Sequence, residues 1–96
     1  MLRRIKRQMN LISKKMVDLD SRESPGKFGH VSQYRLTNGN KYLVYFIEER
    51  YFGFDEFHLN TDRLVNQGRS LDDYDYRIDS YFHDEARDLG WCFDGP

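Results

Sequence analysis

The sequence predicts a single α+β domain: a basic amphipathic N-terminal helix, an antiparallel sheet of at least three strands, a short helix and an acidic C-terminal helix. Three observations carry this. Leu2, Ile5, Met9, Ile12, Met16 and Leu19 recur at alternating spacings of 3 and 4, the period of one helical stripe. Asn38-Gly39 separates two segments rich in aromatic and aliphatic side chains, 30–37 and 41–48, which is a strong short-range hairpin signal. Ser70 and Asp73 form an S-x-x-D capping pattern ahead of Tyr74, Ile78, Phe82 and Leu89, which share a helical stripe with Leu71.

Taken in order, residues 1–19 form the basic helix, and the strict 3.5-residue period of its seam is also that of a coiled coil. A polar connection through Ser24-Pro25-Gly26 follows. The sheet spans 30–59. With Asn38 and Gly39 as a two-residue loop, Thr37 pairs with Asn40, and Tyr34 faces Leu43 beside Ser32–Tyr45 and His30–Ile47. The second strand is apolar on both faces (Leu43, Tyr45, Ile47 and Tyr42, Val44, Phe46), which marks it as central and demands a further partner, expected over Phe54 to Leu59. The segment 61–90 reads as helical and acidic. Asn60 or Thr61 caps a short helix ending before Gly68, and the last helix runs over about 71–89 to Gly90. Residues 74–82 also fit a strand's alternation, but aspartates are depleted in strands and favoured in a helix's first turn.

The 96 residues support one modest core and exclude a multi-domain enzyme. A single cysteine, Cys92, excludes a disulfide scaffold, and the longest apolar run, Tyr42 to Ile47, is too short for a membrane span. A cytoplasmic, reducing setting without membrane contact is the expectation. The formal net charge of −1 hides a segregated chain. Residues 1–50 carry 11 Lys and Arg against 5 acids, and residues 51–96 carry 4 Arg against 11 acids.

No cofactor or metal is expected. The seven glycines form no phosphate loop, and His30, His58, His83 and Cys92 lack the close spacing of structural zinc ligands. Glu48, Glu49, Asp55 and Glu56 near Arg50 and His58 give a weak hint of a carboxylate-dependent nuclease, but no nucleophile, base and orienting group stand in recognisable spacing. The expectation is a non-enzymatic protein with no catalytic residue.

Its acidic residues Asp72, Asp73, Asp79, Asp84 and Asp88 suggest a face that docks on a basic, nucleic-acid-binding protein partner. By analogy alone, inhibitors that phages and mobile elements direct at host defence, anti-CRISPR proteins among them, work in this way. The alternative is a nucleic-acid-binding module using Arg3, Arg4, Lys6, Arg7, Lys14 and Lys15 of the first helix. The aromatics of the sheet are read mostly as core, because Arg50 is the sole basic residue between Lys41 and Arg63 to accompany a stacking platform. A homodimer could bury the seam of Leu2, Ile5, Met9, Ile12 and Met16. A monomer satisfies the same features by folding its basic helix back, with Arg3, Arg4 and Arg7 near Asp84 and Asp88.

Overall fold

A computed structural model describes residues 9–18, 28–72, 74–88 and 90. Among them five antiparallel strands, β1 (Met9–Asp18), β2 (Phe28–Leu36), β3 (Lys41–Ile47), β4 (Arg50–Phe57) and β5 (Leu64–Arg69), lie side by side in chain order. Among the described residues one helix, α1 (Tyr76–Asp88), packs on a single face of this sheet.

β3 is the middle strand, as its apolar run requires. Leu43, Tyr45 and Ile47 are buried toward α1, whereas Tyr42, Val44 and Phe46 are only half-buried on the opposite face. Ile78, Phe82 and Ala86 of α1 close the core over Val31, Leu43, Tyr45, Ile47, Phe52 and Phe57. The Phe82 ring stacks on Tyr45 at 4.9 Å and tilts against Phe52 at 5.3 Å.

The β2–β3 hairpin forms where expected, but its loop has three residues. Leu36 N donates to Asn40 O and Gly39 N to Leu36 O, both at 2.9 Å. Gly39 alone takes the positive φ, 92°, that ends this turn. Tyr34 therefore pairs with Tyr42, and Gln33 with Leu43. Relative to the two-residue loop, this is a one-residue slip, and such a slip exchanges the faces of an entire strand. His30, Ser32 and Tyr34 move to the side of Phe46, Val44 and Tyr42.

Three further expectations need correction. Over residues 9–18 the chain is strand, not helix, paired along β2 with a bulge between Leu11 and Ser13. The seam's helical spacing is a weak prior that this cross-strand pairing overrides. Residues 1–8 of the expected helix lie outside the described residues. The segment 64–69 is the edge strand β5 rather than a short helix. Here Gly68 gives room to the Phe54 ring, since a Cβ at that position would come within 2.6 Å of it. The last helix starts at Tyr76, with Asp75 as its N-cap in place of the Ser70 pattern. Asp75 Oδ1 accepts from Arg77 N at 2.8 Å, and this backbone bond holds the Asp75 carboxyl below the usual aspartate value.

The segregated charges meet within one chain. Lys15, on the helix-facing side of β1, stands with its Nζ 2.7 Å from Glu85 Oε2 of α1, and that carboxylate raises the Lys15 pKa. The contact ties β1 to the acidic helix, while Arg3, Arg4 and Arg7, expected near Asp84 and Asp88 in a monomer, lie outside the described residues.

Candidate functional site

Two surfaces stand out. The first is a cleft of about 530 Å³ between α1 and β5, with Asp55 and Phe57 of β4 as its floor. This volume lies within the range of ligand pockets. Asp55 is 4% exposed, and a charge so placed requires partners. Its Oδ2 accepts from the Tyr45 hydroxyl at 2.6 Å and from Arg69 Nη2 at 3.2 Å, while Arg69 Nη1 stands 3.0 Å from Oδ1. Oδ1 nevertheless receives no well-aligned hydrogen bond.

Arg69 holds the floor and one wall together. Its Nε donates to Asp79 Oδ1 at 3.0 Å, and its Nη1 donates to the carbonyls of Phe54 and Gly68 at 2.8 Å. Burial pulls the Arg69 pKa down, but the hydrogen bond and charge of Asp55, joined by those of Asp79, raise it overall, so the guanidinium stays charged. The Tyr74 hydroxyl donates to Asp79 Oδ2 at 3.1 Å, and that bond pushes its own pKa up. Asp84 and Arg87 complete the cleft's charge, joined at 2.8 Å. Three carboxylates, Asp55, Asp79 and Asp84, thus face two guanidiniums, Arg69 and Arg87.

The second surface is the face of the sheet away from α1. Two rows of rings cross it. His30 stacks on Phe46 at 4.7 Å, with Tyr51 edge-on to Phe46 at 6.4 Å. Tyr42 stacks on Phe54 at 5.1 Å, with Tyr34 edge-on to Tyr42 at 6.5 Å. The Tyr42 hydroxyl is pushed up to about 12, first by burial and then by the neighbouring Tyr51, Glu56 and Tyr34. Burial, helped by the charge of Lys14, lowers the pKa of His30. Leu11 and Met16 of β1 flank the rings at 58% and 61% exposure. Reading the sheet's aromatics as mostly core thus holds for Tyr45, Phe52 and Phe57 but fails for this set: Tyr42, Phe46 and Phe54 alternate to the open side of their strands, and the hairpin register adds His30 and Tyr34 to them.

The expected site residues are scattered. Asp79 and Asp84 line the cleft, each bound to an arginine, while Asp72 and Asp88 are exposed on the helical layer and Asp73 lies outside the described residues. Lys14 shares the ring-bearing face and Lys15 faces α1. Arg3, Arg4, Lys6 and Arg7 fall outside the described residues, as do Leu2 and Ile5 of the seam. Met9, Ile12 and Met16 belong to β1, where Ile12 and Met16 are exposed strand residues and not one side of a helix. The carboxylates of the nuclease hint do not converge. Asp55 points into the cleft, Glu56 lies on the opposite face bonded to Asn40 at 2.8 Å, and Glu48 and Glu49 occupy the turn before β4.

Among the described residues no three His, Cys, Asp or Glu are grouped to hold a metal ion, and no helix is long and apolar enough to cross a membrane. No protein-family model matches the chain, and neither curated proteins nor solved structures give a significant match.

Proposed function

We propose that this protein works by binding, not by catalysis, and that its α1–β5 cleft docks on a basic segment of a protein partner. The observation that carries this reading is the convergence of Asp55, Asp79 and Asp84 on one cleft whose two arginines leave a carboxylate in excess. A lysine or arginine side chain from the partner would lay its stem on Phe57 and Leu64 and bring its charge to Asp84 at the open side. Imitation of a phosphate row has less support, because Arg77 and Arg87 interrupt the acids along the exposed side of α1.

The test is a titration of the ¹⁵N-labelled protein with a blocked Gly-Arg-Gly peptide. Shifts confined to Gln67, Ser80, His83 and Asp84, and lost in Asp84→Lys, are the expected outcome. Shifts elsewhere, or none at millimolar peptide, would remove the cleft from consideration.

A further inference from the structure

The α1–β5 cleft opens along an edge of the sheet, and among the described residues that edge has no further strand beside it. We infer that β5 takes up an extended segment of the partner as an added antiparallel strand, with an arginine or lysine opposite Gln67 turned into the cleft. This rests on the reading of the cleft as a site for a basic segment, and adds the conformation and register of what binds there.

The backbone of β5 supplies the first observation. Ser70 N donates to Phe52 O at 2.8 Å, so Ser70 and Phe52 form a bonded pair of the ladder. Antiparallel pairs alternate between bonded and non-bonded. In the register Gly53↔Arg69, Phe54↔Gly68 and Asp55↔Gln67, Gly68 is therefore bonded to Phe54, and the N–H and C=O of Gln67 and Arg69 turn away from β4. Outside the ladder, no hydrogen bond from a described residue reaches these backbone groups. Such a row of donors and acceptors is what an incoming extended chain pairs with. The two edges of the sheet also differ in their protection. β1 carries Lys14, Lys15 and a bulge. β5 has no charged side chain from Leu64 to Gly68, and Asn66 to Arg69 pair in unbroken register. Natural sheets guard their edges with charge, proline or bulges, so β5 is the edge left open.

The cleft sets the chemistry of the added strand. Residues directly opposite each other share a face of the sheet, and Gln67 lies on the cleft's face with Asp55. The residue that pairs with Gln67 therefore turns its side chain toward Ser80, His83 and Asp84 of α1. Arg69 is held by Asp55 and Asp79, and Arg87 by the exposed Asp84, so a cation arriving there meets the carboxylate in excess. The partner residue opposite Gly68 falls on the other face, where the Phe54 ring covers the glycine and offers apolar contact. A second copy fits less well. Paired β5 to β5 it brings Arg69 as its one basic side chain, and that guanidinium is already committed to Asp55 and Asp79.

The probe is a blocked peptide, acetyl-Thr-Val-Arg-Val-Thr-amide, added to the full ¹⁵N-labelled chain and followed by chemical shifts and amide hydrogen exchange. The amides of Gln67 and Arg69 should exchange fast in the free protein and slowly with peptide bound, while that of Gly68, already bonded to Phe54, changes little. Shifts at Ser80, His83 and Asp84 should accompany them. In the added strand the arginine N–H faces Gln67 and the N–H of the second valine faces outward. N-methylation of the arginine should therefore weaken binding about five- to a hundred-fold, and N-methylation of that valine should leave it within about twofold. Glutamate in place of the peptide's arginine should abolish binding, and equal binding would refute the placement of that side chain in the cleft. The blocked Gly-Arg-Gly peptide separates the two readings. If it shifts Asp84 while the longer peptide leaves Gln67 and Arg69 exchanging as before, or if N-methylation of the arginine has no effect, the added strand is refuted and the cleft stands. If neither peptide shifts the cleft residues, both fall together. Gln67 and Arg69 amides already protected in the free protein would also overturn the inference. They would assign the edge to a second copy if the protein sediments as a dimer, and to another part of the same chain if it sediments as a monomer.

Discussion

Replacing Arg69 with methionine should destabilise the fold more than any surface change. The substitution keeps the aliphatic stem but leaves Asp55, 4% exposed, with the Tyr45 hydroxyl as its one well-formed hydrogen bond, and it deprives Asp79 of its ion pair. Removing one partner of a buried pair costs about 3–5 kcal/mol. The side chains of Arg69 and Asp55 are 17% and 6% exposed, so solvent screens this pair little. We place the loss at about 3 kcal/mol, the low end of that range. For a domain of this size that lowers Tm by about 12–24 °C. Urea and thermal unfolding of Arg69→Met, Asp55→Leu and the double variant, followed by circular dichroism, supply the comparison. The double variant should recover much of the loss, since replacing a buried ion pair by apolar groups is often neutral. An Arg69→Met protein within about 0.5 kcal/mol of wild type, the range of ordinary surface substitutions, would refute the assignment of Arg69 as the tie between β4, β5 and α1.

Gly39→Val should cost at least about 1–2 kcal/mol, because φ of 92° is disfavoured for a β-branched residue; unchanged urea stability would contradict the three-residue turn. Asp75→Ala should cost about 0.5–2 kcal/mol as a lost N-cap. The Asp75 carboxyl is lowered when folded, so its contribution is present above the ordinary value of 3.8 and lost as pH falls through the folded value; the deficit of Asp75→Ala should vanish in acid. In an alkaline absorbance titration one tyrosine should ionise at about 12, and Tyr42→Phe should remove that step. Folded Tyr42 keeps its proton after the unfolded chain begins to lose it near 10, so stability on this account falls from pH 10 to 12 and not below.

The sequence made the hairpin legible but not its register. Asn38-Gly39 serves a two-residue loop and a three-residue loop equally well, and the two differ only in which residues take positive φ. That difference decides whether Tyr34 and His30 join Leu43 and Ile47 on the core side or Tyr42 and Phe46 on the open one. The N-terminal seam misled for a related reason: its spacing suits a helix, while what decides residues 9–18 is pairing with β2, a partner that lies beyond an intervening connection. Leu64 and Val65 likewise become strand because β4 offers an edge. Asp55, Arg69 and Asp79 carry no local signature, since they stand 14 and 10 residues apart and meet only once β4, β5 and α1 are assembled. What local chemistry does settle is the C-terminal helix: Ile78 and Phe82 at helical spacing, with aspartates at its start, outweigh the alternation of residues 74–82.

The face assignment rests on a single register, and cross-strand nuclear Overhauser effects between β2 and β3 measure it directly. Contacts of the Tyr34 ring with Tyr42 and of the His30 ring with Phe46 are the expected result. Contacts of Tyr34 with Leu43 and of His30 with Ile47 would contradict it, returning those two rings to the core side and leaving the open face to Tyr42, Phe46, Tyr51 and Phe54.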